Sequence, residues 1–265
     1  MLGCSEQELQ RENALTNVDY AELATNAHDS ANMAYAKFIG NHHPSTSTMD
    51  VESIVQELLG LFPRLKWHRN RRWERTINMV AFGLNRERGT QNDERYILPS
   101  RDTTVSDVNL RVYELLLQLL GRECERLPDF RCTTIQVMEN CPERRHEDKN
   151  NEGLSLIGTF GDFKGGEFEY TLDGSTIRKD VRLKKENDYR MTAFDGRKPH
   201  MACVTKGGKR WSVTAYTNPA CVLKDHRGRL PPPADELIRM AKEHADELRR
   251  RQEVKRQVMR PLEPS

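Results

Sequence analysis

The sequence predicts an α+β fold, with about eight short strands forming a sandwich or barrel core and helices at its flanks. Three observations predict it. From residue 132 onward the chain breaks into short β-type segments punctuated by Gly, Asp and Asn, the pattern of a sandwich or barrel. Residues 106–120, SDVNLRVYELLLQLL, repeat their apolar positions with helical period. Apolar residues make up 36% and charged residues 31% of the 265, so part of the chain is expected outside a compact core.

Residues 1–48 are rich in Asn, Ala, Ser, Thr and acidic groups and read as a disordered or loosely helical leader. Weak helical periodicity runs over 21–38, and His42 and His43 read as solvated tail residues. A helix follows over 51–62, capped by Ser47 or Thr48, with Val51, Ile54, Leu58 and Leu59 on its apolar face. Next comes PRLKWHRNRRWER, with six Lys/Arg among thirteen residues and Trp67 and Trp73 between them. TINMVAFGL (76–84) reads as a strand, and 86–100 as a polar loop.

After the 106–120 helix, strands are expected at TTIQVME, LSLIGTF, EFEYTL, STIRKDVRL, YRMTAF, MACVT and RWSVTAYT. The GDFKGG turn, centred on Gly165 and Gly166, is expected to join two of them as a hairpin, because glycine tolerates positive φ. Beyond Thr217 the β pattern stops. A proline-rich stop precedes a charged helix with Leu237, Ile238, Ala241, Ala245 and Leu248 as a thin apolar stripe. The organisation read from sequence is a leader over 1–48, a domain over 49–222 and a charged C-terminal helix over 223–265.

Net charge is only +2, so no global field argues for nucleic acid or an anionic membrane. No apolar run approaches the roughly 18 residues needed to span a bilayer, and the N-terminus lacks the basic-then-apolar pattern of a secretory signal. An intracellular protein, cytoplasmic or nuclear, is expected. The six cysteines show no C-x-x-C pair and are expected as reduced thiols.

The chemistry-bearing residues are His146, Asp148, His200 and Arg210. His146 and Asp148 are two apart, so on a strand both side chains leave one face. Two imidazoles and one carboxylate are the ligand set of a facial triad for non-haem Fe(II). Arg210 follows His200 by ten residues and suits a carboxylate.

The run RHEDKNNEGLSLIGTFGDFKGGEFEY, then FDGRKPHMACVTKGGKRWSVTAYT, resembles the core of the 2-oxoglutarate- and Fe(II)-dependent dioxygenase superfamily, whose prolyl-hydroxylase-like and JBP/TET-type members share this layout. The matching features are H-x-D, a G-x-F-x-G-G turn, a distal His and R-x-S, over about residues 130–218. The resemblance implies a double-stranded β-helix (jelly roll) whose mouth gathers His146, Asp148 and His200 around Fe(II). It implies that Arg210 and Ser212, deeper on the same wall, hold the distal carboxylate of 2-oxoglutarate. The implied reaction uses O2 to convert 2-oxoglutarate to succinate and CO2 while hydroxylating a substrate C–H bond. Many prolyl-hydroxylase-like relatives carry a tyrosine on the strand before H-x-D; TTIQVMENCPERRHED has none, which leaves Gln136 or Thr134 as replacements.

Gly161, Gly165 and Gly166 are expected to serve the turn, Phe160, Phe163 and Phe168 the core, and Asp195 and Gly196 the turn presenting His200. Asn150 and Asn151 read either as turn residues or as groups orienting a ligand. The tryptophan–arginine stretch fits phosphate contacts and base stacking, or a solvated connection whose tryptophans cap the core. A nucleic-acid base, a protein side chain and a small molecule all stay open as substrates. Two other classes compete with the oxygenase: an inactive jelly-roll binding module acting through the basic stretch, and a cupin-type zinc or manganese enzyme. The latter predicts H-x-H, which H-x-D fits less well.

Overall fold

The computed structural model describes residues 50–72, 75–86, 97–127, 130–225, 228–230 and 234–258. The expectations for 1–48 lie outside these residues. Helix α1 (Val51–Leu61) opens the described chain, followed by β1 (His68–Arg72), β2 (Arg75–Arg86) and β3 (Ile97–Pro99). Helices α2 (Arg101–Thr104) and α3 (Asp107–Arg126) precede β4 (Thr134–Glu139) and β5 (Glu152–Phe160). Short strands β6 (Phe163–Gly165), β7 (Phe168–Leu172), β8 (Ser175–Lys179) and β9 (Thr192–Phe194) come next. They lead to β10 (His200–Ala202), β11 (Thr205–Gly208) and β12 (Trp211–Thr217), then β13 (Leu223–Asp225), β14 (Gly228–Leu230) and helix α4 (Ala234–Val258).

The architecture is α+β and antiparallel. A large sheet runs β1-β2-β4-β12-β5-β9, with β3 beside β2. A second sheet runs β10-β7-β8, and β11 pairs β6. Alternation along the central strands gives the large sheet two chemically different faces. On one, Phe82, Val137, Phe160, Trp211 and Val213 are buried against the helices: Phe62, just past α1, lies 5.2 Å from the Phe160 ring and 5.6 Å from Trp211. The opposite face carries Gln136, Ile157, Thr159, Ser212 and Thr214, by the cross-strand pairs Gln136–Thr214, Met138–Ser212 and Thr159–Ser212. The small sheet joins that side through a core of Ile157, Phe168, Tyr170, Val181, Phe194 and Ala202.

Several local expectations are corrected. The cap of α1 is Asp50, whose carboxylate accepts from Ser53 N–H at 3.0 Å, not Ser47 or Thr48, because the helix starts at Val51. Helix α3 continues past residue 120 to Arg126. Glu123, only 1% exposed, accepts from the Met191 amide at 2.9 Å and pairs with Arg126 at 2.7 Å, which stabilises the added turn after the apolar stripe ends. Ile97–Pro99, expected in a loop, pairs with Leu84–Arg86.

The GDFKGG segment does turn at Gly165 and Gly166, at φ 66° and 75°. Its flanking strands do not form a hairpin: β5 pairs β12 and β9, whereas β7 pairs β10 and β8. The turn is a crossing between sheets. The STIRKDVRL segment is a strand only to Lys179; beyond Asp180 it makes an isolated parallel bridge from Arg182 to Thr159.

Of the basic PRLKWHRNRRWER stretch, His68–Arg72 pairs antiparallel with Arg75–Met79, His68 opposite Met79 and Arg72 opposite Arg75; Trp73 lies outside the described residues. In α4, Leu237, Ala241 and Ala245 are buried. No disulfide joins the five cysteines among the described residues. No described helix is long and apolar enough to cross a membrane.

Candidate metal centre and adjoining polar face

Two chain segments are zipped together at the site. The Glu143 amide donates to Ala202 O at 3.1 Å, and the His146 and His200 amides each donate to the other's carbonyl at 3.0 Å. The Asp148 amide donates to Gly196 O at 2.8 Å. The Asp195–Gly196 turn is closed by Lys198 N–H to Asp195 O at 3.0 Å. It therefore supplies the carbonyl that holds Asp148. His146 and Asp148 do not share a regular strand: His146 lies in an isolated bridge and Asp148 on the turn after it.

This backbone brings the three candidate ligands together. One ligand atom each from His146, Asp148 and His200 lies within 4.8 Å of the others. The Asp148 carboxylate is 3.8 Å from His146 Nε2 and 3.6 Å from His200 Nε2. Nδ1 of His146 lies 2.7 Å from Arg144 O, and Nδ1 of His200 lies 2.9 Å from Lys198 O. A carbonyl only accepts, so each Nδ1 carries a proton, and in the neutral ring Nε2 is the nitrogen left to ligate. Asn151 donates to the Asp148 carboxylate at 3.4 Å.

His200 is almost fully buried, with the Phe194 ring 5.0 Å away and the Phe168 ring 5.9 Å away. Burial works against its charged form, but the neighbouring Asp148 carboxylate and the Lys198 carbonyl outweigh it and raise its pKa. The donor set of two neutral imidazoles and one carboxylate fits a divalent metal that leaves positions open. The cleft around it is also lined by Gln136, Glu143, Phe168, Phe194, Thr214 and Tyr216.

Arg210 and Ser212 do not line this cleft. Arg210 is 1% exposed. Its Nη1 donates to Gly166 O at 3.0 Å and Cys203 O at 2.9 Å, and its Nη2 to Cys141 O at 2.5 Å. Among the described residues no carboxylate contacts it, and its Nε has no partner. Burial lowers the pKa of this guanidinium. Ser212 is 2% exposed and its Oγ has no partner either. Trp211 points to the other face, onto Phe62.

Phe160, Phe163 and Phe168 are buried, as expected of core residues, though Phe168 also lines the cleft. Sequence reasoning missed Glu143, whose carboxylate lies 3.9 Å from His146 Nε2. It also missed Thr159, Thr214 and Tyr216, which the two-residue alternation of β5 and β12 places on the cleft side.

No protein-family model matches the sequence, and no curated protein matches it. Among solved structures, the chain is similar to a 2OG-Fe(II) oxygenase family oxidoreductase from Burkholderia pseudomallei. That match has 13% identity over 77% of this chain and 96% of that one, at a TM-score of 0.46. It is also similar to a prolyl hydroxylase from Trichoplax adhaerens in complex with a hypoxia inducible factor peptide (12% identity, 81% and 94% covered, TM-score 0.39). A third is NgTET1 in complex with 5mC DNA (11% identity, 64% and 68% covered, TM-score 0.38). At these values the likenesses carry no functional weight, and the side chains above must supply it.

Proposed function

We propose that this protein is an Fe(II)- and 2-oxoglutarate-dependent dioxygenase that hydroxylates a C–H bond of a macromolecular substrate, releasing succinate and CO2. The observation that carries the reading is the convergence of His146, Asp148 and His200, with both imidazoles locked in the tautomer that ligates through Nε2. The two-layer arrangement of sheets is read as a double-stranded β-helix spanning 49–222, between a leader over 1–48 and a charged helical segment over 223–265. An intracellular setting, cytoplasmic or nuclear, goes with it.

His146, Asp148 and His200 would hold the iron, and Asn151 would keep the Asp148 carboxylate oriented. When bound, iron with 2-oxoglutarate and O2 supplies the oxidising chemistry. Arg210 and Ser212 would receive the distal carboxylate of 2-oxoglutarate. A buried guanidinium that no described carboxylate contacts, and a buried hydroxyl without a partner among the described residues, are each costly until an anion arrives. The apolar walls formed by Phe168 and Phe194 exclude water beside His200.

The substrate is proposed to be a nucleic-acid base or a protein side chain. The basic β1–β2 hairpin is the candidate recognition element for the former. The competing reading, an inactive binding module, is disfavoured because the three ligand positions are intact.

Anaerobic addition of Fe(II) and 2-oxoglutarate should produce a weak visible charge-transfer band, and His146→Ala should abolish it. Absence of the band in the unmodified protein would sink the oxygenase reading and leave the binding module. Succinate release should rise on addition of single-stranded nucleic acid or of peptide, and whichever stimulates it identifies the substrate class.

A further inference from the structure

The face of β4, β12 and β5 that looks toward the small sheet carries an unusual set of unfilled polar atoms. Gln136 Nε2, Ser155 Oγ, Thr159 Oγ1 and Ser212 Oγ are all buried and lack hydrogen-bond partners among the described residues. Strand register places them on one side: Thr159 is directly opposite Ser212, Met138 faces Ser212 from β4, and Gln136 faces Thr214. Paired residues of antiparallel strands project from the same face. Gln136 also lines the cleft that holds His146, Asp148 and His200.

Thr159 is 2% exposed, so its hydroxyl has no access to bulk water. Buried polar atoms of folded proteins are satisfied in the great majority of cases, and each exception calls for an explanation. Of the seven such side-chain atoms among the described residues, four lie on this face and a fifth, Arg210 Nε, belongs to the residue two before Ser212; Thr104 Oγ1 and Trp211 Nε1 lie elsewhere. Thr134, the other candidate on β4, is already engaged, its hydroxyl 3.4 Å from that of Thr133.

A patch of hydrogen-bond donors near a buried guanidinium that no described carboxylate contacts matches an anion with several acceptor oxygens. Two residues along a strand advance about 7 Å, so the steps from Ser212 to Gln136 span roughly the length of a short dicarboxylate. We infer that Gln136 and Thr159 bind 2-oxoglutarate, flanking Ser212 from the two neighbouring strands. Gln136 donates through Nε2 and Thr159 through its hydroxyl to co-substrate oxygens. The inference rests on the proposed co-substrate; its own content is the assignment of these two residues.

The test is direct binding by the full chain, without turnover. The Mn(II)-loaded protein is titrated calorimetrically with N-oxalylglycine, an inert 2-oxoglutarate analogue, for the unmodified chain, Gln136→Leu and Thr159→Val. Each substitution removes a donor while nearly keeping volume, and each should raise Kd about tenfold. Mn(II) affinity, read by electron paramagnetic resonance, should not move. The thermal midpoint of ligand-free Thr159→Val should stay or rise, since an unsatisfied buried hydroxyl has been removed.

A variant with Kd within twofold of the unmodified chain removes that residue from the assignment. A lowered midpoint with unchanged Kd would mark the Thr159 hydroxyl as structural and overturn its part of the inference. Failure of the unmodified chain to bind N-oxalylglycine would overturn the proposed co-substrate itself, which is a distinguishable result.

Discussion

Arg210 holds three carbonyls that come from three separate parts of the chain: Cys141 before the first histidine, Gly166 at the sheet crossing, and Cys203 after the second. One side chain thus pins the backbone on both sides of the metal centre. The contact is tight at Gly166, where φ is +75° and an added Cβ would lie 2.8 Å from Arg210 Nη1 and 2.9 Å from Thr205 Cγ2. Gly166→Ala should therefore cost on the order of 1–3 kcal/mol, combining left-handed backbone strain with displacement of the guanidinium. A shift in urea midpoint at constant m-value measures it. Gly153, also at positive φ but with nothing within 4 Å of an added Cβ, is the control: its alanine variant should show the smaller loss.

At this scale the candidate ligands were legible as types, because His and Asp at H-x-D spacing advertise their chemistry. The isolation of Gln136 and Thr159 was not. Lack of a partner is a property of packing, which one-dimensional spacing does not carry. Glu143 was hidden for a related reason: it reaches His146 across an irregular segment with no period.

At the scale of elements, α3 is fastened at both ends by buried polar side chains. Asn109 is fully buried. Its side chain accepts from the Lys66 amide at 2.9 Å and the Ser106 hydroxyl at 2.8 Å, and donates to Asp102 O at 2.9 Å. It joins the helix start to the approach to β1 and to α2. Asn109→Ala would strand those buried groups and should lower stability by about 2–4 kcal/mol, read from chemical denaturation. Strands and helices with one dominant period, such as β4, β12 and the middle of α3, were readable in advance. The partner exchange at Gly165–Gly166 was not: a glycine pair says that the chain reverses, but the strand that β7 chooses lies some thirty residues downstream. Likewise the last turn of α3 depends on Glu123 meeting an amide 68 residues away.

For the whole molecule, the large sheet separates two kinds of interior: an apolar layer under the helices, and a mixed layer facing the small sheet, where the apolar cluster around Phe168 and Phe194 adjoins the buried polar atoms of Gln136, Ser155, Thr159 and Ser212. Among the described residues, most of the unsatisfied buried side-chain atoms lie in the second. Anion binding should then stabilise the molecule by linkage: Mn(II) with N-oxalylglycine should raise the melting temperature more than Mn(II) alone. Acid should act through the connection from β8 to β9. There burial opposes ionisation of Asp180, but hydrogen bonds from Arg182 and Lys184 win and bring its pKa from 3.8 to about 2. Because the folded value lies below the unfolded one, this contribution is complete above pH about 4 and fades as pH falls toward 2. Asp180→Asn should flatten the melting-temperature profile across that window.

The paired amide bonds between His146 and His200 bear on the order of assembly. Two candidate ligands that hold each other by their backbones do not wait for a metal to meet, so an ion bound there would enter a prepared seat and folding need not await it. A chelator should strip the metal while leaving the chain folded. Hydrogen–deuterium exchange at those two amides should stay slow in both states.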